Sequence, residues 1–266
     1  MNKTVFVSLV LIIFAVSTSC FSFSTNLNIP ITRGDTSIYA DINPDRKMEI
    51  ITVSFPRLKD GGIYDYVLII DNDTTMGVFE IMDDAFAYLI DIDQSDGYRE
   101  VVLMALGPSD MTDYKIFRYS EEKIIKIGDV YGFFGINTDG DGILKANEWM
   151  GFWTREQLYK LDNELMVLLP IPKDVYSLDV DVTVTKSFEI LSERIDGAEV
   201  LEDLLPGTEI KLIGADTSPS FFYNNNRGYI DDYNRDWYLI RTYDGTEGWA
   251  RLETFRDLVD GLIWAG

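Results

Sequence analysis

Residues 90–104 read IDIDQSDGYREVVLM, and two other stretches repeat their texture: ADINPDRKMEIITV from Ala40 and GINTDGDGILKANEW from Gly135. Their leading residues Asp41, Asp91 and Asn137 are 50 and 46 positions apart, a period that points to a repeated supersecondary unit of about four strands. The intervening stretches agree. YKIFRYSEEKIIKIG from Tyr114 and EQLYKLDNELMVLLP from Glu156 align as two strands around a short polar turn, and both read as hairpins. Further strands are expected at Ile63 to Ile70, Met76 to Met82 and Phe86 to Ile92. Turns are expected at Asp60-Gly61-Gly62 and Asp71-Asn72-Asp73.

The acidic loops carry the clearest chemistry. Calcium takes six to eight oxygens, and a short loop supplies them when alternate side chains and a backbone carbonyl turn inward, with glycine permitting the positive-φ turn. In the third loop Asn137, Asp139 and Asp141 precede Gly142, and the Ile143 carbonyl and Glu148 carboxylate are further donors. In the second, Asp91, Asp93 and Asp96 precede Gly97, and Glu100 follows, with Ser95 widening the loop. The first has Asp41, Asn43, Asp45 and Glu49 but Arg46 in place of glycine, and reads as degenerate. The spacing from Asn137 to Glu148 also suits a helix-loop-helix hand, but VYGFFGI upstream is β-rich and the hairpin alignment puts a strand downstream, favouring strand-loop-strand. The alternative is that these runs of Asp, Asn and Gly are simply turn formers between strands.

These loops resemble the calcium-binding strand-loop-strand repeats of FG-GAP and VCBS-type propellers, over about residues 40 to 170. The resemblance implies blade-like antiparallel units and bound Ca2+. About three units fit, fewer than a closed propeller has, so an open β-layer is an equal expectation.

From about Ser187 the texture changes. Leu205-Pro206-Gly207-Thr208 precedes Glu209-Ile210-Lys211-Leu212, and Trp237-Tyr238 and Gly248-Trp249-Ala250 follow, joined across Asp244-Gly245. This resembles a bacterial SH3 domain, which implies a small β-barrel that binds cell-wall peptide or glycan, or docks onto a neighbouring domain. An insertion, SPSFFYNNNRGYIDDYNRD, departs from that pattern and carries Phe221, Phe222, Tyr223, Tyr229 and Tyr233. Such aromatics either stack on a ligand or fold back over the barrel edge. Trp237 and Trp249, inside strands, are expected to pack.

The fold class expected is therefore all-β: blade-like repeats over residues 21–185, then an SH3-like barrel over 186–266. Residues 1–20, MNKTVFVSLVLIIFAVSTSC, have a cationic start at Lys3, an apolar run from Val5 to Val16 and small residues after it, the layout of a secretory signal. Cys20 stands where a lipoprotein signal places its acylated residue, although Ser17 replaces the usual Leu. Two readings stand, lipidation at Cys20 or an ordinary signal cleaved near Ser19 or Ser24. Both put the mature chain outside the cytoplasm.

Composition narrows the function. With 23 Lys+Arg against 45 Asp+Glu the net charge is −22, which repels nucleic acid and anionic lipid. With no histidine and one cysteine, imidazole chemistry, thiolate metal clusters and an internal disulfide are all absent. There is no P-loop and no G-x-G-x-x-G. The expectation is an exported, calcium-stabilised binding protein of the cell envelope, not an enzyme. The alternatives are a secreted glycan-acting enzyme using paired carboxylates, and an SH3-like domain with no ligand of its own.

Overall fold

The computed structural model describes residues 36–56, 64–79, 84–107, 111–223 and 232–264. The expectations for the segment ending at Cys20, and for Tyr229, lie outside these residues.

The described chain is all-β and antiparallel. β1 (Thr36–Ala40), β2 (Glu49–Ser54), β3 (Tyr64–Ile70) and β4 (Asp73–Phe79) form one meander in chain order. β5 (Asp84–Ile90), β6 (Glu100–Leu106), β7 (Met111–Ser120) and β8 (Lys123–Thr138) form a second. β8 then continues into the third unit, pairing β9 (Ile143–Trp149), which is followed by β10 (Thr154–Asp162) and β11 (Val167–Pro170). A register shift between Phe133 and Ile136, at Gly135 with φ +99°, lets this 16-residue strand serve both units and fuses them into one seven-stranded sheet. Asp71 (φ 51°) closes the β3–β4 hairpin, and Glu121 (φ 51°) and Glu122 (φ 60°) close β7–β8, the left-handed pair that a two-residue turn requires.

The units stack face to face. On β6, Val101, Leu103 and Ala105 pack with Ile51, Val53, Leu68 and Ile70 of the first unit. Val102 points the other way and joins Ile116, Leu144, Leu161 and Leu168. The run EVVLMAL is apolar on both faces because both are covered. Leu103→Ala should therefore cost about 2–5 kcal/mol in urea unfolding, whereas Met76→Ala, at a side chain 71% exposed, should stay within about 0.5 kcal/mol. The connecting loops stack too. Arg99 N–H donates to the Ile42 carbonyl (3.0 Å), and one unit on Gly142 N–H donates to the Ile92 carbonyl (2.8 Å).

The third sheet has the order β14-β13-β17-β16-β15-β12-β18. Its members are β12 (Tyr176–Val184), β13 (Phe188–Leu191), β14 (Val200–Leu204), β15 (Glu209–Asp216), β16 (Trp237–Thr242), β17 (Glu247–Arg251) and β18 (Val259–Asp260). β12, expected within the repeat region ending at residue 185, belongs here: its alternating apolar side chains find their partners on β15 and β18. Short helices α1 (Ser218–Tyr223) and α2 (Leu252–Phe255) flank β16 and β17. None of the three sheets closes into a barrel among the described residues. Trp237 is buried and Trp249 half-buried, as expected.

The repeat stack and the third sheet share a core. Phe152 and Trp153, between β9 and β10, pack with Tyr176, Tyr238 and Phe255, and Trp153 Nε1–H donates to the Tyr238 hydroxyl at 3.1 Å. Trp264 caps this seam, edge-on to Phe152 with centroids 5.4 Å apart. Gly151, at φ +88°, leaves room for the Trp264 ring: a Cβ there would come within 2.5 Å of it.

Candidate functional site

In the second acidic loop a buried side chain that the spacing does not reveal, Arg118, stands against the carboxylates. Arg118 on β7 lies across from Glu100 on β6, since Val101 pairs with Phe117 in the same register. Both are buried, Arg118 1% and Glu100 0% exposed. Arg118 Nε and Nη2 donate to Glu100 Oε1 at 2.9 and 2.5 Å, and Nη1 donates to Asn163 Oδ1 at 2.7 Å. Nη2 also lies 2.9 Å from Asp96 Oδ2, an ion pair off the hydrogen-bond axis, so that this oxygen has charge compensation without a directed donor. Asn163 Nδ2 extends the network to Asp93 Oδ2 at 3.4 Å, and the Tyr98 ring covers the guanidinium with its centroid 4.6 Å from Cζ.

The remaining oxygens are largely spent on the loop's own backbone. Glu100 Oε2 accepts from Ile92 N–H (3.0 Å), Asp93 Oδ1 from the N–H and hydroxyl of Ser95, and Asp96 Oδ1 from Tyr98 N–H. Burial pushes the Glu100 and Asp91 carboxyls above the usual carboxylate range, while the Ser95 hydroxyl holds Asp93 below it. The first loop reuses the same lock. Glu49 is buried, and its Oε2 accepts from Ile42 N–H at 3.0 Å, the counterpart of Glu100 and Ile92. Asp41 Oδ1 and Asp91 Oδ1, next to those locks, are buried oxygens without a hydrogen-bond donor.

The third loop is not gathered as its spacing suggests. Asn137 Oδ1 accepts from Thr138 N–H (2.9 Å), Asp141 Oδ1 from Ile143 N–H (3.1 Å), and exposed Asp139 is paired with Lys145 Nζ at 2.5 Å. Glu148 stands on β9 opposite Arg155, where its Oε2 accepts from Arg155 Nε at 2.9 Å and its Oε1 from the Tyr159 hydroxyl at 3.0 Å. An extended exit explains this separation: five residues of strand at about 3.3 Å each carry Glu148 roughly 17 Å beyond Ile143, whereas a helical exit would fold it back. Among the described residues no group of three acidic side chains has the spacing to hold a metal. The orphaned oxygens of Asp41 and Asp91 favour a cation, but Arg118 already occupies Asp96 and Glu100. In this arrangement most of the loop oxygens are engaged by backbone N–H groups and by Arg118, while Asp41 and Asp91 each keep one oxygen without a donor.

A second feature is a groove of about 640 Å³ in the third sheet, between the β13–β14 hairpin and the β17–α2 corner. Trp237, Ala250 and Phe188 line it together with Asp196, Asp203 and Arg251. Arg251 lies 4.2 Å over the Trp237 ring and is forked onto Asp196 at 2.8 and 3.0 Å. The Trp237 ring beneath that guanidinium is itself buried, so the open part of the lining combines Arg251 with the exposed carboxylates Asp196 and Asp203. Tyr233 stacks on Trp264 with centroids 6.3 Å apart, the fold-back reading. Phe221, Phe222 and Tyr223 have their backbone in α1, and their side chains lie outside what the structure describes.

A serine–lysine nucleophile pair is expected to be absent from the chain, but Ser120-Glu121-Glu122-Lys123 has its S-x-x-K spacing. It lies in the β7–β8 turn rather than at a helix start. Ser120 Oγ is bonded to the Tyr98 hydroxyl (3.1 Å), and Lys123 Nζ lies 3.4 Å from Asp73. Nearby, a cavity of about 570 Å³ is lined by Glu49, Asp71, Asp73, Glu121 and Glu122. Glu49 is raised there by burial, but both its oxygens already accept hydrogen bonds, from Ile42 N–H and Asn43 Nδ2. Asp236, whose carboxyl burial pushes up to about 7, is wholly enclosed and bonded to Ser220, out of reach of a sugar. Comparison with family models, with curated proteins and with solved structures gives no match.

Proposed function

We propose that this is an exported binding protein of the cell envelope, in which the stacked repeats are a rigid support and the third sheet is an SH3-like recognition module. The observation that carries the reading is the course of the third sheet. β15, β16 and β17 form a meander, α2 makes a single helical turn, and β18 returns to pair with β12, Val184 against Val259. That return of the last strand to the first, with the β13–β14 hairpin bordering the groove that Arg251 and Asp196 line, supports an SH3-like module with a ligand face for cell-wall peptide or glycan. A catalytic reading finds less support: of the carboxyls raised by burial, Asp236, Glu100 and Glu49 are enclosed and already hydrogen-bonded, and Asp91 is half-buried within the second acidic loop. The shared core through Phe152, Trp153 and Tyr238 favours a second reading, in which the module docks onto the repeats and has no ligand of its own.

Sedimentation of the full chain with purified cell walls separates the two. Retention is expected, with Arg251→Glu weakening it about tenfold, or ~1.4 kcal/mol. Absence of retention in both calcium and chelator would overturn wall recognition and leave the docking reading.

A further inference from the structure

We propose that the guanidinium of Arg118 takes the place of a metal ion in the second acidic loop, so that the loop closes without a divalent cation. Four carboxylates, Asp91, Asp93, Asp96 and Glu100, are brought into one short loop. The charge that faces Glu100 and Asp96 from across the sheet is Arg118, 1% exposed: Nε and Nη2 donate to Glu100, Nη2 is also in ion-pair contact with Asp96, and Nη1 donates to Asn163, which itself reaches Asp93. A planar fork of fixed donors satisfies several oxygens at once in different directions, as an ion would, but it belongs to the chain and cannot be removed by a chelator. Register makes this pairing obligatory, since any chain in which Val101 faces Phe117 sets Arg118 against Glu100. The other loops have their own bases: Lys47 Nζ lies 3.1 Å from Asp45, and Lys145 Nζ 2.5 Å from Asp139. The inference is independent of wall binding and stands or falls without it.

The test compares the full-length protein with its Arg118→Ala variant, by thermal melting in calcium or chelator and by tyrosine-sensitised terbium luminescence, for which Tyr98 is the donor beside the site. Removing one partner of a buried pair should lower the melting midpoint of Arg118→Ala by about 10 °C in chelator. Five millimolar calcium should restore part of that loss, and terbium luminescence should appear with the variant well above its level in the unmodified protein. A folded Arg118→Ala with no response to calcium or terbium would overturn the proposal. So would terbium luminescence of the unmodified protein that Asp91→Asn abolishes. Should Arg118→Ala fail to fold, Glu100→Gln/Arg118→Met, which removes both charges, decides: recovery of most of the stability without calcium dependence supports a charge-compensating role. Failure of that double variant as well contradicts it.

Discussion

Asp236→Asn should make the protein more stable at pH 8 by about 2–4 kcal/mol, and the advantage should vanish near pH 4. Asp236 is 0% exposed, and its two oxygens accept from the N–H and the hydroxyl of Ser220, both at 3.0 Å. Burial is the chief reason that its carboxyl rises from 3.8 to about 7, with Asp216 adding to the rise and Arg155 opposing it. Because the folded-state value lies above the unfolded one, the folded chain holds its proton more tightly. The group's favourable contribution is complete below about pH 4, is lost as the pH rises to 7, and is flat beyond. A rise from 3.8 to about 7 corresponds to roughly 4 kcal/mol at most. Asparagine keeps the geometry, accepting from Ser220 N–H and donating to its hydroxyl, and removes the desolvated charge. Urea unfolding at pH 4 and pH 8 measures the difference directly; a variant less stable than the parent at pH 8 would show that Arg155 stabilises the carboxylate more than burial penalises it.

The second large effect is at Arg155, which joins the repeat stack to the third sheet. It is 6% exposed, forked onto Glu148, and its Nη1 donates to Thr217 Oγ1 at 2.5 Å. Its Cζ sits 5.8 Å from the Tyr176 ring centroid. Arg155→Ala leaves the Glu148 carboxylate with the Tyr159 hydroxyl as its remaining donor and strips Thr217 Oγ1 of the Arg155 donor at a buried seam, and should cost about 3–5 kcal/mol in urea unfolding. Glu148→Gln/Arg155→Met removes both charges and should fall within about 1–2 kcal/mol of the parent, because much of the single-variant cost is the stranded carboxylate. Equal losses in the two variants would mean that the pair acts through shape rather than charge.

Much of the repeat architecture was legible in the sequence because strand alternation and turn chemistry are local. The β3, β7–β8 and β10–β11 assignments follow from apolar runs and polar turns, and the expected strand-loop-strand course at Gly135 to Glu148 is what forms. Three features were hidden because they depend on partners far along the chain. YSLDVDVTV alternates as any strand does, and nothing in it says that its neighbour is β15 rather than β11. The bulge at Gly135 fuses two repeats into one sheet, whereas a period of 46 to 50 residues suggests separable units. Most of all, carboxylate spacing in a loop shows where negative charge collects but not what answers it. Arg118 is 18 residues beyond Glu100 and reaches it through hairpin register. Glu148 has the spacing of a twelfth-position ligand, but that spacing closes on an ion through a helix, and this chain leaves the loop as a strand.

On the proposal above, internal bases rather than a bound ion answer the charge of the acidic loops. The most direct check is the melting midpoint of the unmodified protein in 5 mM calcium and in chelator. The two midpoints should agree within about 1 °C. A site of about 0.1 mM affinity used by the folded state would instead add about 2.3 kcal/mol and raise the calcium midpoint by roughly 5–9 °C, a shift that would contradict the account.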